Sequence, residues 1–226
     1  MKKSILTGDH TSTSLASNLL VYAMPPIDTV VFDIGNVLIP WNPRWLFRKL
    51  LTDEAALERF LDEVDFNAWN AQHDAGQSFA HGIAQHGARF PHYRHLLQAY
   101  FDRWEETIAE PLQESVALTR KLRAAGYRTL ALTNFSTETF PRAVRRNPFL
   151  NEFEGILVSG EERLMKPDPA IYRLLCERYS VTPGQCVFID DSLTNVEGAR
   201  RIGMPALHFR SIDQLLEDLD ALGVRT

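Results

Sequence analysis

Five short runs of apolar, mostly β-branched residues recur along the chain: "TVVFDIG", "YRTLALTN", "FEGILVSG", "QCVFIDD" and "PALHF". A strand with one solvated face alternates apolar and polar residues, and these runs do not. Strands that are apolar throughout need cover on both faces, which a parallel sheet with crossover helices provides. Helical patterns occupy the intervals: "QESVALTRKLRAAG", a stretch around "TFPRAVRRN", "DPAIYRLLCERY" and "SLTNVEGARRIG". Gly126 and Gly203 stand where helices should end, just ahead of the next strand. In "KPDPA", Asp168 reads as an N-cap and Pro169 as the first helical residue. The expected fold is therefore α/β, a Rossmann-like doubly wound parallel sheet.

One region breaks the alternation. From Trp41 to Ile108 no strand signal appears. "DEAALERFLDEV" places Leu57, Phe60, Leu61 and Val64 on one helical face, and "HLLQAYFDRWEETI" does the same with Leu97, Tyr100, Phe101, Trp104 and Ile108. An all-helical insertion after the first strand lies at the carboxyl edge of the sheet, where open α/β sheets bind ligands. The expected organisation is a flexible tail at residues 1–24, a core at 25–41 and 109–226, and a helical cap at 42–108. Prolines at Pro40–Pro43 and Ala109–Pro111 punctuate the two crossings and read as hinges. Met24 is a natural start for the folded part.

Composition excludes several classes of partner. The 24 basic and 29 acidic side chains leave a net charge of −5, with no basic stripe that would suit a nucleic acid. No apolar run approaches the ~18 residues of a membrane span. Cys176 and Cys186 both fall in apolar patterns and read as small core residues, which suits a reducing, cytoplasmic setting.

The ends of the strands carry the chemistry. Asp33 closes the first strand, and Asp190 and Asp191 close "CVFIDD". Thr133 and Asn134 close "LALTN", and Lys166 follows the strand "ILVSG" in "RLMKPDP". In a parallel sheet these ends share one edge, where three carboxylates repel one another unless a cation sits among them. Oxygen ligands of this kind suit Mg²⁺, which leaves a place for a phosphate oxygen. The Thr133 hydroxyl and the backbone N–H groups after it make an anion seat, and Lys166 can hold the same anion. Any one of these residues alone reads more simply as a cap or an ion-pair partner. Together, and in this order, they point to phosphoryl chemistry.

"FDIGNVL", "LTN", "KPDP" and "FIDDSLTNVEGA" resemble the four motifs of the haloacid dehalogenase superfamily, in members that carry an α-helical cap after the first motif. The resemblance spans almost everything from Pro26 onward. It implies that Asp33 is a nucleophile forming an aspartyl-phosphate and that Mg²⁺ sits on Asp33, Asp191 and the Gly35 carbonyl, with Asp190 close by. It further implies that Thr133, Asn134 and Lys166 hold the phosphoryl group of a small phosphorylated substrate, with Asn195 in an outer supporting position.

Most phosphatases of that family carry an acid where this chain has Gly35, and general acid catalysis is typically worth ~10²–10⁴-fold. The "FDIGNV" pattern is nonetheless similar to sugar-phosphate phosphatases, including those acting on α-D-glucose 1-phosphate, whose anomeric leaving group needs less help. Two alternatives share the missing acid: a metal-independent 2-haloacid dehalogenase, and a non-catalytic protein that binds a phosphometabolite. A cap loop could also bring His73 or Asp74 to the leaving group. Trp41 and Trp69 are candidates to line the cleft, Trp104 reads as packing, and Arg44 could meet a second anionic group.

Overall fold

The computed structural model describes residues 26–225; the expected tail at residues 1–24 lies outside them. Five parallel strands form one sheet: β1 (Thr29–Phe32), β2 (Arg128–Thr133), β3 (Gly155–Val158), β4 (Cys186–Asp190) and β5 (Ala206–His208). Their order is β3-β2-β1-β4-β5. All five strand runs read from the sequence are strands. The chain winds outward from β1 through β2 to β3, then crosses back to place β4 on the other side of β1. The crevice between β1 and β4 is thus the topological switch point, where such sheets bind ligands.

Successive residues of each strand serve opposite faces. Val30, Phe32, Ala131, Val187 and Ile189 belong to one buried cluster, and Val31, Leu130, Leu132, Cys186 and Phe188 to the other. This is why the runs contain no polar alternation. Gly126 and Gly203 take φ of +94° and +79°, the left-handed conformation that ends a helix without strain. The Asp168 carboxylate accepts the Ala170 N–H at 2.8 Å, as its capping role requires.

Helices α1 (Arg44–Phe47), α2 (Glu54–Glu63), α3 (Phe66–Asp74), α4 (Phe79–Arg89) and α5 (Arg94–Asp102) form the insert that follows β1. The rest of the chain contributes α6 (Gln113–Ala124), α7 (Phe140–Arg146), α8 (Ser159–Glu162), α9 (Pro169–Tyr179), α10 (Leu193–Arg200) and α11 (Ile212–Ala221). The run "HLLQAYFDRWEETI" is not one helix. It ends at Asp102, and a 3₁₀ turn follows at Trp104–Thr107, tightened by the Thr107 hydroxyl donating to the Trp104 carbonyl at 2.7 Å. That tightening buries Trp104 and Thr107 together.

The two crossings into the helical insert run side by side. Trp41 and Ile108 form an antiparallel bridge. The Asn42 N–H donates to the Thr107 carbonyl at 2.8 Å and the Ala109 N–H to the Pro40 carbonyl at 3.0 Å. Paired backbone of this kind fixes where the insert stands over the sheet edge. Within the insert the rings of Phe47, Phe60, Phe66, Trp69, Phe79 and Tyr100 pack edge to face and at tilted angles around a common centre. Trp69 is fully buried there. Replacing it should cost about 3–5 kcal/mol; urea unfolding of Trp69→Ala checks this, and a loss under about 1 kcal/mol would mean the ring is not a core member.

Candidate active site

Strand pairing positions the acids. Phe32 lies opposite Ile189, so one step further along β1 and β4 brings Asp33 beside Asp190. The Asp33 N–H continues that ladder to the Ile189 carbonyl at 2.8 Å. On the other side, β2 ends in Thr133, which pairs with Val158 of β3. One carboxylate oxygen each from Asp33, Asp190 and Asp191 comes within 4.8 Å of the others. Hard oxygen donors so arranged fit a divalent cation such as Mg²⁺.

Lys166 arrives from the loop between α8 and α9 and is 2 % exposed. Asn134 holds that loop: its side chain donates to the Lys166 carbonyl at 3.0 Å and accepts the Lys166 N–H at 2.9 Å. The Lys166 ammonium donates to the Leu132 carbonyl at 3.0 Å. It also lies 2.9 Å from Asp33 Oδ1 and 2.7 Å from Asp190 Oδ2. All three ammonium protons are therefore matched to oxygens, on a side chain almost wholly out of solvent.

The two partners of Lys166 differ in what else they hold. Asp190 is wholly buried; its Oδ1 accepts the Ser192 N–H at 2.8 Å, and Asn195 Nδ2 lies 3.1 Å from both oxygens. Its carboxylate is thus occupied by the lysine, the Asn195 amide and the backbone opening α10. Asp33 keeps one oxygen tied, with Oδ1 also accepting the Ile34 N–H at 2.7 Å, while Oδ2 faces the open space beside Gly35. A Cβ added at Gly35 meets only that Oδ2, at 4.0 Å. A Cβ at this position would therefore meet no clash.

Burial is the largest influence on Asp33; Lys166 opposes it, Asp190 and Asp191 add to it, and the carboxyl ends at about 7. Burial by itself would discharge Lys166, but Asp33 and Asp190 outweigh it and hold the ammonium above its ordinary value. Burial, then the Asp190 charge, raises Asp191 as well. Carboxyls lifted in this way mark a place that favours a bound cation.

A cavity of about 140 Å³ opens above these groups. Asp33, Gly35, Thr133, Asn134, Lys166 and Asn195 form its floor, and Trp41, Asn70, Asp74, Tyr100 and Trp104 project from the insert and its edges. Trp41 lines the cleft as expected. Trp69 does not: it sits in the aromatic core of the insert, the better place for its apolar surface. Trp104 both packs and lines the pocket. Arg44 is turned away, held by Glu58 through two contacts of 2.7 Å. His73 is buried against Phe79, ring centroids 3.9 Å apart, with Nδ1 at 3.1 Å from the Gln77 carbonyl; burial drops it to about 4. It stands outside the pocket, whereas its neighbour Asp74 lines it.

Sequence reasoning missed Ser159, Asn70 and Tyr100. The fully buried Ser159 hydroxyl accepts the Phe135 N–H at 2.9 Å and donates to the Asp74 carbonyl at 2.5 Å, joining the β2 loop to the insert. The "VSG" at the end of the third strand run was visible, but its long-range partner was not.

A family profile described as haloacid dehalogenase-like hydrolase matches residues 27–203. The chain belongs to that family, and it is a hydrolase. A sesquiterpene phosphatase of Aspergillus oryzae is 25 % identical over 79 % of this chain and 87 % of its own length. An (S)-2-haloacid dehalogenase of Pseudomonas is 26 % identical over 53 % of this chain, the match spanning about half (52 %) of that protein. A solved family enzyme of Bacteroides thetaiotaomicron, in complex with magnesium and inorganic phosphate, superposes with a TM-score of 0.63, at 22 % identity over 81 % of this chain and 94 % of its own. Both phosphatase and dehalogenase chemistry thus occur among the relatives of this haloacid dehalogenase-like hydrolase.

Lys166→Met leaves Asp33 and Asp190 buried without a counter-charge, at a cost of about 3–5 kcal/mol. Since burial already lifts Asp33 above the unfolded value of about 4, the folded state binds the proton more readily as its counter-charge is lost. The deficit should therefore be largest near pH 8 and shrink toward pH 5, as the carboxyls protonate. Urea titrations at the two pH values check the sign; a deficit that grows on acidification would refute the ion-pair account.

Proposed function

We propose that this hydrolase is a Mg²⁺-dependent phosphatase that cleaves a small phosphorylated metabolite, a sugar phosphate first among them, through an aspartyl-phosphate on Asp33. The observation that carries the reading is the set formed by the buried Asp33, Asp190 and Lys166 with Asp191 at its rim, at the β1–β4 crevice. Asp33, Asp191 and the Gly35 carbonyl would hold the magnesium, with Asp190 completing the acidic wall. When bound, the ion supplies positive charge that offsets the carboxylates and draws electron density from phosphoryl oxygens.

The residues of the chain do the rest. Lys166 and the Ile34 N–H fix Asp33 Oδ1, so that Oδ2 is the oxygen free to attack phosphorus. Thr133 and Asn134 receive the phosphoryl oxygens, helped by the Lys166 charge. Attack by Oδ2 forms the Asp33–phosphorus bond as the ester P–O bond breaks and the leaving oxygen departs; water then bonds to phosphorus, releasing inorganic phosphate and restoring the carboxylate. Asn195 and the Ser192 N–H hold Asp190, and through it Lys166, in place. Above the floor, the face of Trp41 suits a sugar ring, and Asn70 and Tyr100 offer partners for hydroxyls.

The dehalogenase reading is favoured by the Pseudomonas relative but opposed by the charges. An α-halocarboxylate is an anion, and Asp190 and Asp191 beside Asp33 would repel it, with one ammonium already shared between two acids. Phosphate release from p-nitrophenyl phosphate decides the matter. It should require Mg²⁺, stop on chelation with EDTA, and fall by at least about 10³-fold in Asp33→Asn, since removing a nucleophile removes the covalent route. Chloride released from 2-chloropropionate without metal, and no phosphate from any ester, would overturn the proposal.

A further inference from the structure

The floor of the pocket provides a nucleophile, charge and an anion seat, but at Gly35 it provides no proton donor. An alkoxide expelled from an unactivated phosphate ester needs one. Among the described residues, the pocket is lined by one carboxyl besides Asp33, and it comes from the helical insert, outside the acidic cluster: Asp74.

We propose that Asp74 is the general acid and base of this site, donating its proton to the leaving oxygen in the first half-reaction and recovering one from water in the second. The inference rests on the phosphatase reading above. Three features of the structure carry it. The first is position: Asp74 lines the same cavity as Asp33 and Lys166, on the insert side, where a substrate anchored by its phosphate must place its leaving group.

The second is a directional hydrogen-bond chain. The Tyr100 hydroxyl donates to Asn70 Oδ1 at 2.8 Å, and Asn70 Nδ2 donates to Asp74 Oδ2 at 3.0 Å. Oδ2 is thereby occupied as an acceptor. The chain also fixes the carboxyl rotamer, and it is anchored in Tyr100, which is buried in the aromatic centre of the insert. The Ser159 hydroxyl clamps the Asp74 carbonyl at 2.5 Å, so the residue is registered to the core as well as to its own helix.

The third is electrostatic. Asp74 is the last residue of α3, where the negative end of the helix dipole disfavours an anion. Burial is the larger cause, the Ser136 backbone pulls the other way, and the Asp33 charge adds to the rise while Lys166 opposes it; the carboxyl is pushed up to about 7. Glu162 of the adjoining α8 is paired with Arg178 at 2.6 Å, and Glu138 accepts the Phe79 N–H at 2.6 Å. His73, the other acid the sequence offered, is stacked on Phe79 away from the cavity and does not compete.

The steps balance. In the first, the Asp33 Oδ2–phosphorus bond forms, the ester P–O bond breaks, and the Asp74 proton leaves with the alcohol. In the second, a water oxygen bonds to phosphorus, the Asp33–phosphorus bond breaks, and one water proton returns to Asp74 while the other stays on the phosphate. With a donor in the insert, the site no longer needs an anomeric or otherwise activated leaving group, and simple alkyl and aryl monophosphates come within its range.

The test is a series of ring-substituted phenyl phosphates, from unsubstituted to p-nitro, assayed with Mg²⁺ on the unaltered protein and on Asp74→Asn. The variant should lose on the order of 10²-fold in kcat on phenyl phosphate but less than about tenfold on p-nitrophenyl phosphate, whose leaving group needs little protonation. Asp74→Glu should recover part of the loss on phenyl phosphate. An equal loss along the series, or no loss, overturns the assignment while leaving the phosphatase reading intact. If the variants do not fold, the unaltered protein still decides. A kcat/KM that varies little along the series supports an internal acid, and a steep rise with leaving-group activation contradicts it. A protein that releases phosphate from no member sinks the underlying reading and this one with it.

Discussion

Everything in the site depends on a single ammonium group held almost wholly out of solvent. Lys166 binds Asp33 and Asp190 at once and spends its third proton on the Leu132 carbonyl. A buried charge of this kind is tolerable only if its partners are fixed, and each is fixed by backbone geometry. The β1–β4 register sets the two acids side by side, the reciprocal Asn134 bonds set the lysine, and the opening of α10 sets Asp190. The remaining excess of negative charge, with Asp191 at the rim, is what makes a divalent cation the natural occupant.

Much of this was legible in the sequence because it follows from local rules. Runs such as "VVF" and "CVFI" are apolar on both faces, so the strands, their parallel pairing and the shared edge at their carboxyl ends could be read directly. Asp33, Asp190, Asp191, Thr133 and Lys166 were found for the same reason, each being a polar residue at or just past the end of a buried run. Gly126, Gly203 and Asp168 end or begin helices as their stereochemistry dictates.

What was not legible depends on contacts distant in sequence. Tryptophan at the edge of a cleft and tryptophan in a core have the same local pattern, so Trp41 and Trp69 could not be told apart until the aromatic packing of the insert was known. His73 and Asp74 are adjacent, yet the helix turns one into the apolar centre and the other into the cavity. The split of "HLLQAYFDRWEETI" at Asp102 follows from tertiary burial of Trp104 and Thr107, which periodicity does not encode. Ser159 and Asn70 matter only through their partners, at separations of 85 and 30 residues.

A tight acidic rim with a built-in counter-charge should act as a cation site before any substrate arrives. The most direct measurement is anomalous diffraction from a crystal soaked in Mn²⁺ as a stand-in for Mg²⁺. The account predicts a single strong peak in contact with Asp33 and Asp191, with Lys166 still bridging Asp33 and Asp190 behind it. Absence of a peak there at saturating ion, or a peak only at other carboxylates, would contradict it.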